Sequence, residues 1–176
     1  QMLLGGLPRS PHGGFPLLVK LLDAQRNLSV QVHPTAEYAT AHPGAYKKDE
    51  AWLILDAKPD SMLYTGLAEG VTPAELHAAA QRGQDLKPLM HAVPAIPGAC
   101  HVLPSGTCHA LGAGILVAEF QTPSDTTYRI WDWGRQGREM HLDQALACMS
   151  PGRAAPPCTT PAHADGLEIN IVANTP

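Results

Sequence analysis

Four residues of the chain could together hold a metal. Gln31, His33, Glu50 and His109 offer one amide oxygen, two imidazoles and one carboxylate, a mixed nitrogen and oxygen set that suits a borderline divalent ion. Gln31 and His33 lie in Ser29-Val30-Gln31-Val32-His33-Pro34, whose alternation has the period of a strand. Ser29, Gln31 and His33 then share one face, and Val30 and Val32 take the other. Glu50 opens Glu50-Ala51-Trp52-Leu53-Ile54-Leu55, a second strand. His109 ends a turn that begins at Gly98 and passes through Pro104 and Gly106 between two apolar runs. Three further charges interrupt apolar strands: Lys20, Glu119 and Arg129. A buried charge is costly unless paired. Glu119 beside a metal could be tuned as a base. Arg129 is permanently charged and calls for an anion or a developing oxyanion. On the residues alone Lys20 reads as an edge-strand lysine that snorkels, and Lys48 as a loop lysine that shares the face of Glu50 if that strand begins early.

The elements that must position these groups are mostly strands. Phe15 to Leu22, Ser61 to Leu67, Leu86 to Val93, Ile115 to Gln121 and Thr126 to Trp133 join the two above. Thr72-Pro73-Ala74-Glu75 carries a capping threonine, proline at the first helical position and the returning glutamate of a capping box, with Gly83 as the stop. A further helix is expected from His141 to Met149, and a short helical turn and loop over Glu37 to Ala45. Ser150 to Ala164 reads as a linker, and Leu167 to Val172 alternates again. The expected architecture is all-β, an antiparallel sandwich or jelly-roll barrel with a short helical insertion. Such a scaffold turns every second side chain inward and can enclose a ligand. Residues 1–150 are expected to form the catalytic domain and 151–176 a linker and the start of something further.

Bulk properties exclude several classes. The 176 residues carry a net charge of −4 with the basic residues scattered, which argues against a nucleic-acid partner. No apolar run approaches the ~20 residues needed to span a bilayer, and no leader pattern opens the chain, so neither membrane nor export is expected. The four cysteines show no CxxC spacing and read as reduced thiols in the cytoplasm.

The Gly98 to His109 piece resembles the second conserved motif of the cupin barrels. The Gln-x-His-Pro and Lys-x-Glu version of the first motif is similar to the zinc-dependent, type I mannose-6-phosphate isomerases. Glu119-Phe120-Gln121 and Ser124 to Arg135 resemble the same family, so that the likeness runs from about Phe15 to about Cys148. The resemblance implies a cupin fold, one zinc ion per chain on Gln31, His33, Glu50 and His109, and interconversion of mannose 6-phosphate and fructose 6-phosphate through an enediol. It implies that Lys20 and Ser29 grip the substrate phosphate, that Glu119 and Lys48 serve proton transfer and hydroxyl contact, and that Arg129 steadies the enediolate. It implies too that relatives carry strands and an acidic residue ahead of Phe15 and a second domain behind, so that 176 residues alone should turn over weakly or not at all. The alternative is a non-catalytic or truncated cupin that binds metal and sugar phosphate.

Overall fold

The computed structural model describes Ser10 and residues 14–159; the strand expected at Leu167 to Val172 lies outside them. Ten strands and three helices follow in the order β1 (Leu18–Ala24), β2 (Val30–Val32), α1 (Ala36–Ala41), β3 (Glu50–Ala57), β4 (Met62–Leu67), α2 (Pro73–Gln81), β5 (Met90–Pro94), β6 (Ala99–Leu103), β7 (His109–Leu111), β8 (Ile115–Gln121), β9 (Tyr128–Trp131), α3 (Leu142–Cys148) and β10 (Cys158–Thr159). Two antiparallel five-stranded sheets result. The first runs β1-β8-β3-β6-β10 and the second β5-β4-β7-β2-β9. The barrel expectation needs correcting here: no hydrogen-bonded ladder joins the two sheets among the described residues, so they form an open, cupin-like sandwich rather than a closed jelly roll.

Strand alternation builds the space between the sheets. Trp52 and Ile54 of β3, Ile115 and Val117 of β8 and Leu103 of β6 meet Leu63 of β4 and Leu111 of β7 in one buried cluster. The opposite face of the second sheet, carrying Val30, Val32, Ala110 and Ile130, packs under α2 and α3 through Leu76, Ala79, Ala145 and Cys148. That division is the one expected for the Ser29 to Pro34 alternation. The helix at Thr72 is built as read, with the reciprocal Thr72–Glu75 box and Pro73 in its first turn. His77 of α2 has Nε2 at 3.3 Å from Asp143 Oδ1 and ties α2 to α3. The strand expected from Leu86 begins only at Met90. Lys87–Leu89 form a 3-10 turn, with Pro88 inside it and the Lys87 amide donated to Asp85 Oδ1 at 2.9 Å. Asp132 and Arg135 pair at 2.5 Å.

Candidate metal centre

At one end of the space between the sheets the inward positions turn polar. Across the second sheet, Thr65 lies opposite His109, His109 opposite Gln31, and Gln31 opposite Arg129. A register shift between Val30 and Gln31 bends β2 there, as bulges commonly do beside a site. Across the first sheet, Lys20 lies opposite Glu119, Glu119 opposite Trp52, and Trp52 opposite His101.

His33, Glu50 and His109 are each 1–3% exposed, and one ligand atom from each lies within 4.8 Å of the others. His33 Nε2 is 3.1 Å from Glu50 Oε1 and His109 Nε2 is 3.5 Å from Glu50 Oε2. The outer ring nitrogens are already committed. His33 Nδ1 lies 3.1 Å from the Thr126 carbonyl oxygen and His109 Nδ1 lies 2.8 Å from that of Thr107. A carbonyl only accepts, so each Nδ1 carries the proton and Nε2 keeps its lone pair toward the centre, the second-shell arrangement that metal-bound imidazoles use. Burial pulls the His109 imidazole down to about 4, against the opposing pull of Glu50, so the ring is neutral and ligand-competent at neutral pH. Burial alone would raise the Glu50 carboxyl. The contact with His33 comes first among the groups that outweigh it, followed by the neighbouring His109 ring and the Lys48 ammonium, and the carboxyl is held well below the ordinary carboxylate range. His33 Nε2 and both Glu50 oxygens are buried and form no well-shaped hydrogen bond, despite their short ion-pair distances. With His109 Nε2, which is freed once the Gln31 amide turns, these atoms form a convergent donor set that fits a divalent cation.

The other expected site residues fall around this centre unequally. Gln31 borders it, but its Nε2 faces His109 Nε2 at 3.3 Å while Oε1 takes the Ser29 hydroxyl at 3.4 Å. Serving as a ligand would require the amide reversed. Lys48 is buried, with Nζ 2.8 Å from Glu50 Oε1. It reaches Glu50 from the loop, because β3 starts at Glu50 itself. Lys20 bonds Glu119 Oε1 at 3.1 Å and also the Gln121 side-chain oxygen. Arg129 Nη1 is given to the Glu139 carbonyl at 2.7 Å, and its buried Nε has no partner. Lys20, Lys48, Ser124, Asp125 and Thr127 line a cleft of about 580 Å³ that opens beside the centre; Ser29 is not among its lining residues.

Two residues to which the sequence assigned no role complete the arrangement. Trp52 donates its indole N–H to Glu119 Oε2 at 3.0 Å and sets its ring at 86° to His109, with centroids 5.4 Å apart. Gln121, 1% exposed, holds Lys20 and donates to the Thr122 and Ser124 carbonyls, each at 2.9 Å. The signal that could have found them is the period of two, which carries Glu50 to Trp52 and Glu119 to Gln121.

An open antiparallel sandwich with an inward-facing His-Glu-His cluster that could hold a metal ion defines the class: a cupin-like β protein. Residues 6–77 match the family model for the phosphomannose isomerase type I catalytic domain. The chain is 44% identical over 138 residues to mannose-6-phosphate isomerase ManA of Bacillus subtilis, covering 75% of this chain and 43% of that protein. It is 38% identical over 169 residues to mannose-6-phosphate isomerase of Streptococcus mutans, covering 92% of this chain and 52% of that one. A crystal structure of mannose 6-phosphate isomerase from Bacillus subtilis superimposes with a TM-score of 0.77 at 34% identity, over 87% of this chain and 49% of that one. The chain belongs to the type I phosphomannose isomerase family. It spans about half the length of the curated relatives it matches.

Proposed function

We propose that the chain carries the catalytic centre of an aldose–ketose isomerase that interconverts mannose 6-phosphate and fructose 6-phosphate. The observation that carries the reading is the buried His33-Glu50-His109 cluster, both imidazoles already locked through Nδ1, beside a cleft lined by two lysines, one of which, Lys48, touches Glu50. The metal is taken to be one zinc ion per chain, held by these three side chains and by Gln31 with its amide turned. A bound zinc would act as a Lewis acid on a sugar hydroxyl or carbonyl. On this reading residues 1–150 are the catalytic domain, 151–159 pack back onto its sheets instead of running free as a linker, and the setting is the cytoplasm, which suits four free thiols.

The chain's own groups divide the remaining work. Isomerisation moves a proton between C1 and C2 through an enediol, which requires a group that can take and return it within about 3 Å. Glu119 is fixed for that by two donors, Trp52 on one oxygen and Lys20 on the other. Lys48, pinned beside Glu50, is placed to donate to a substrate hydroxyl. Lys20 opens on the cleft with 37% of its side chain exposed, so a phosphate can share it with Glu119 through a charge-assisted contact; Ser29, expected as the companion hydroxyl, is buried on Gln31 and does not line this cleft. Arg129 stands in the same row as Gln31 and His109, and its partnerless Nε supplies a donor for enediolate charge.

The test is direct. Protein loaded with zinc is mixed with mannose 6-phosphate in deuterated water and followed by proton NMR. The expected result is slow formation of fructose 6-phosphate, with deuterium entering at the reacting carbons. Tight binding of the sugar phosphate without ketose would instead mark a binding module.

A further inference from the structure

We propose that Cys100 and Cys158 form a thiol modification site that closes to a disulfide when the chain meets a low-molecular-weight disulfide of the glutathione type. The two residues lie directly opposite each other in the antiparallel pairing of β6 and β10. Directly opposed residues of an antiparallel pair share a sheet face with Cα atoms about 4.5–5.5 Å apart, inside the roughly 4.4–6.8 Å range that a disulfide spans. Both are free thiols, Cys100 buried and Cys158 exposed. Burial, and secondarily the nearness of Cys158, pushes the Cys100 thiol upward, which leaves Cys158 as the group that meets a soluble reagent first. Cys108 and Cys148 are buried, and burial raises their thiols to about 12 and about 11, so neither competes.

The position gives the bond a mechanical consequence. Residues 150–159 run as a strap over both sheets. The Leu67 amide donates to the Gly152 carbonyl at 2.8 Å and the Ala154 amide to the Thr65 carbonyl at 3.0 Å. Arg153 bridges to Gly66, whose missing side chain allows the contact, since a Cβ there would sit 2.4 Å from Arg153 Cα. The strap is thus held on β4 of the second sheet and, through two-residue β10, on β6 of the first. A disulfide at Cys158 would turn its weaker attachment into a covalent one and lock one sheet to the other on the side away from Lys20.

The exchange balances without any other reagent. The Cys158 thiolate attacks one sulfur of the oxidant, forming a mixed disulfide and expelling the first small thiolate. The Cys100 thiolate then attacks Cys158 Sγ and expels the second. The two protein thiols lose two electrons, the oxidant gains them, and the two protons end on the released thiols.

The experiment incubates the intact chain with oxidised glutathione, counts free thiols after denaturation, and maps a non-reduced digest by mass spectrometry. Two of the four thiols should disappear. A peptide pair joining Cys100 to Cys158 should appear, lighter by two hydrogen atoms, the unfolding midpoint should rise by several degrees, and dithiothreitol should reverse all three changes. Cys158→Ser, at an exposed position that leaves the core untouched, should lose no thiols to a crosslink and show no rise. A stable glutathione adduct on Cys158 with Cys100 still a thiol, a disulfide between two chains, or four thiols intact would each overturn the proposal.

Discussion

The same strands line both ends of the space between the sheets, yet the two ends do opposite work. On β8 the inward residues run Ile115, Val117, Glu119, Gln121; on β3 they run Ile54, Trp52, Glu50; on β7 they run Leu111, His109. One end is a dry cluster of Ile54, Leu63, Leu111, Ile115 and Val117, each 0–1% exposed. The other holds Glu50, His33, His109, Glu119 and Gln121, nearly as buried. Apolar burial at the first end stabilises the sandwich. Burial at the second costs stability unless every charge is met. The change falls within one step of the period-two alternation, so the fold supplies a rigid apolar floor on which a polar cluster can be held in fixed geometry.

That contrast can be broken from either side. The largest effect is expected at the apolar end. Leu111→Ala should cost about 2–5 kcal/mol of unfolding free energy by denaturant titration, with metal stoichiometry unchanged. Loss of metal in a variant that still folds would mean that the two ends are not separable. At the polar end Arg129→Ala should lower turnover on the order of 10²-fold, about 2.7 kcal/mol by the relation of rate to barrier, with little change in the denaturation midpoint or in bound metal. Trp52→Phe sits between the two ends. It leaves Glu119 Oε2 without its donor, a loss of about 1–3 kcal/mol, read here in kcat. In a Glu119→Gln background the same substitution should add little, because the pair acts as a unit. Additive losses would show that Trp52 serves packing alone.

The smallest effect is a pH dependence at His101, which is 3% exposed with Nε2 unpartnered. Burial holds its imidazole below the ordinary 6.5. The unfolded chain therefore binds a proton on His101 at a pH where the folded chain does not, and stability falls as pH drops below about 6.5. His101→Leu should flatten that part of the acid-side decline by a fraction of a kcal/mol. An unchanged slope would mean that His101 takes up its proton without leaving the fold.

Local signals were legible in the chain, and distant pairings were not. The alternation around Gln31 assigned its faces correctly because a strand's period is set by covalent geometry. The Thr72 box was legible because its partners are three residues apart. His33, Glu50 and His109 could be named from spacing and family likeness. The opposition of Lys20 to Glu119 and of Cys100 to Cys158, by contrast, rests on registers fixed by packing across the whole sheet. Lys20 is the instructive case: its charge inside an apolar run signalled a partner, but only the register showed that Glu119 and Gln121 are that partner before any phosphate arrives. The strand expected from Leu86 gave way at Pro88, which favours the turn, and the open sheets reflect how strands associate at their edges, which alternation does not encode.

The central claim is that the polar end is a metal centre built on His33, Glu50 and His109. Elemental analysis of the purified chain, beside His109→Ala prepared in the same way, tests it most directly. One divalent ion per chain is expected in the unaltered protein and essentially none in the variant, with circular dichroism showing the same sheet content in both. Full metal retention in His109→Ala, or no stoichiometric metal in the unaltered chain after incubation with zinc, would contradict it.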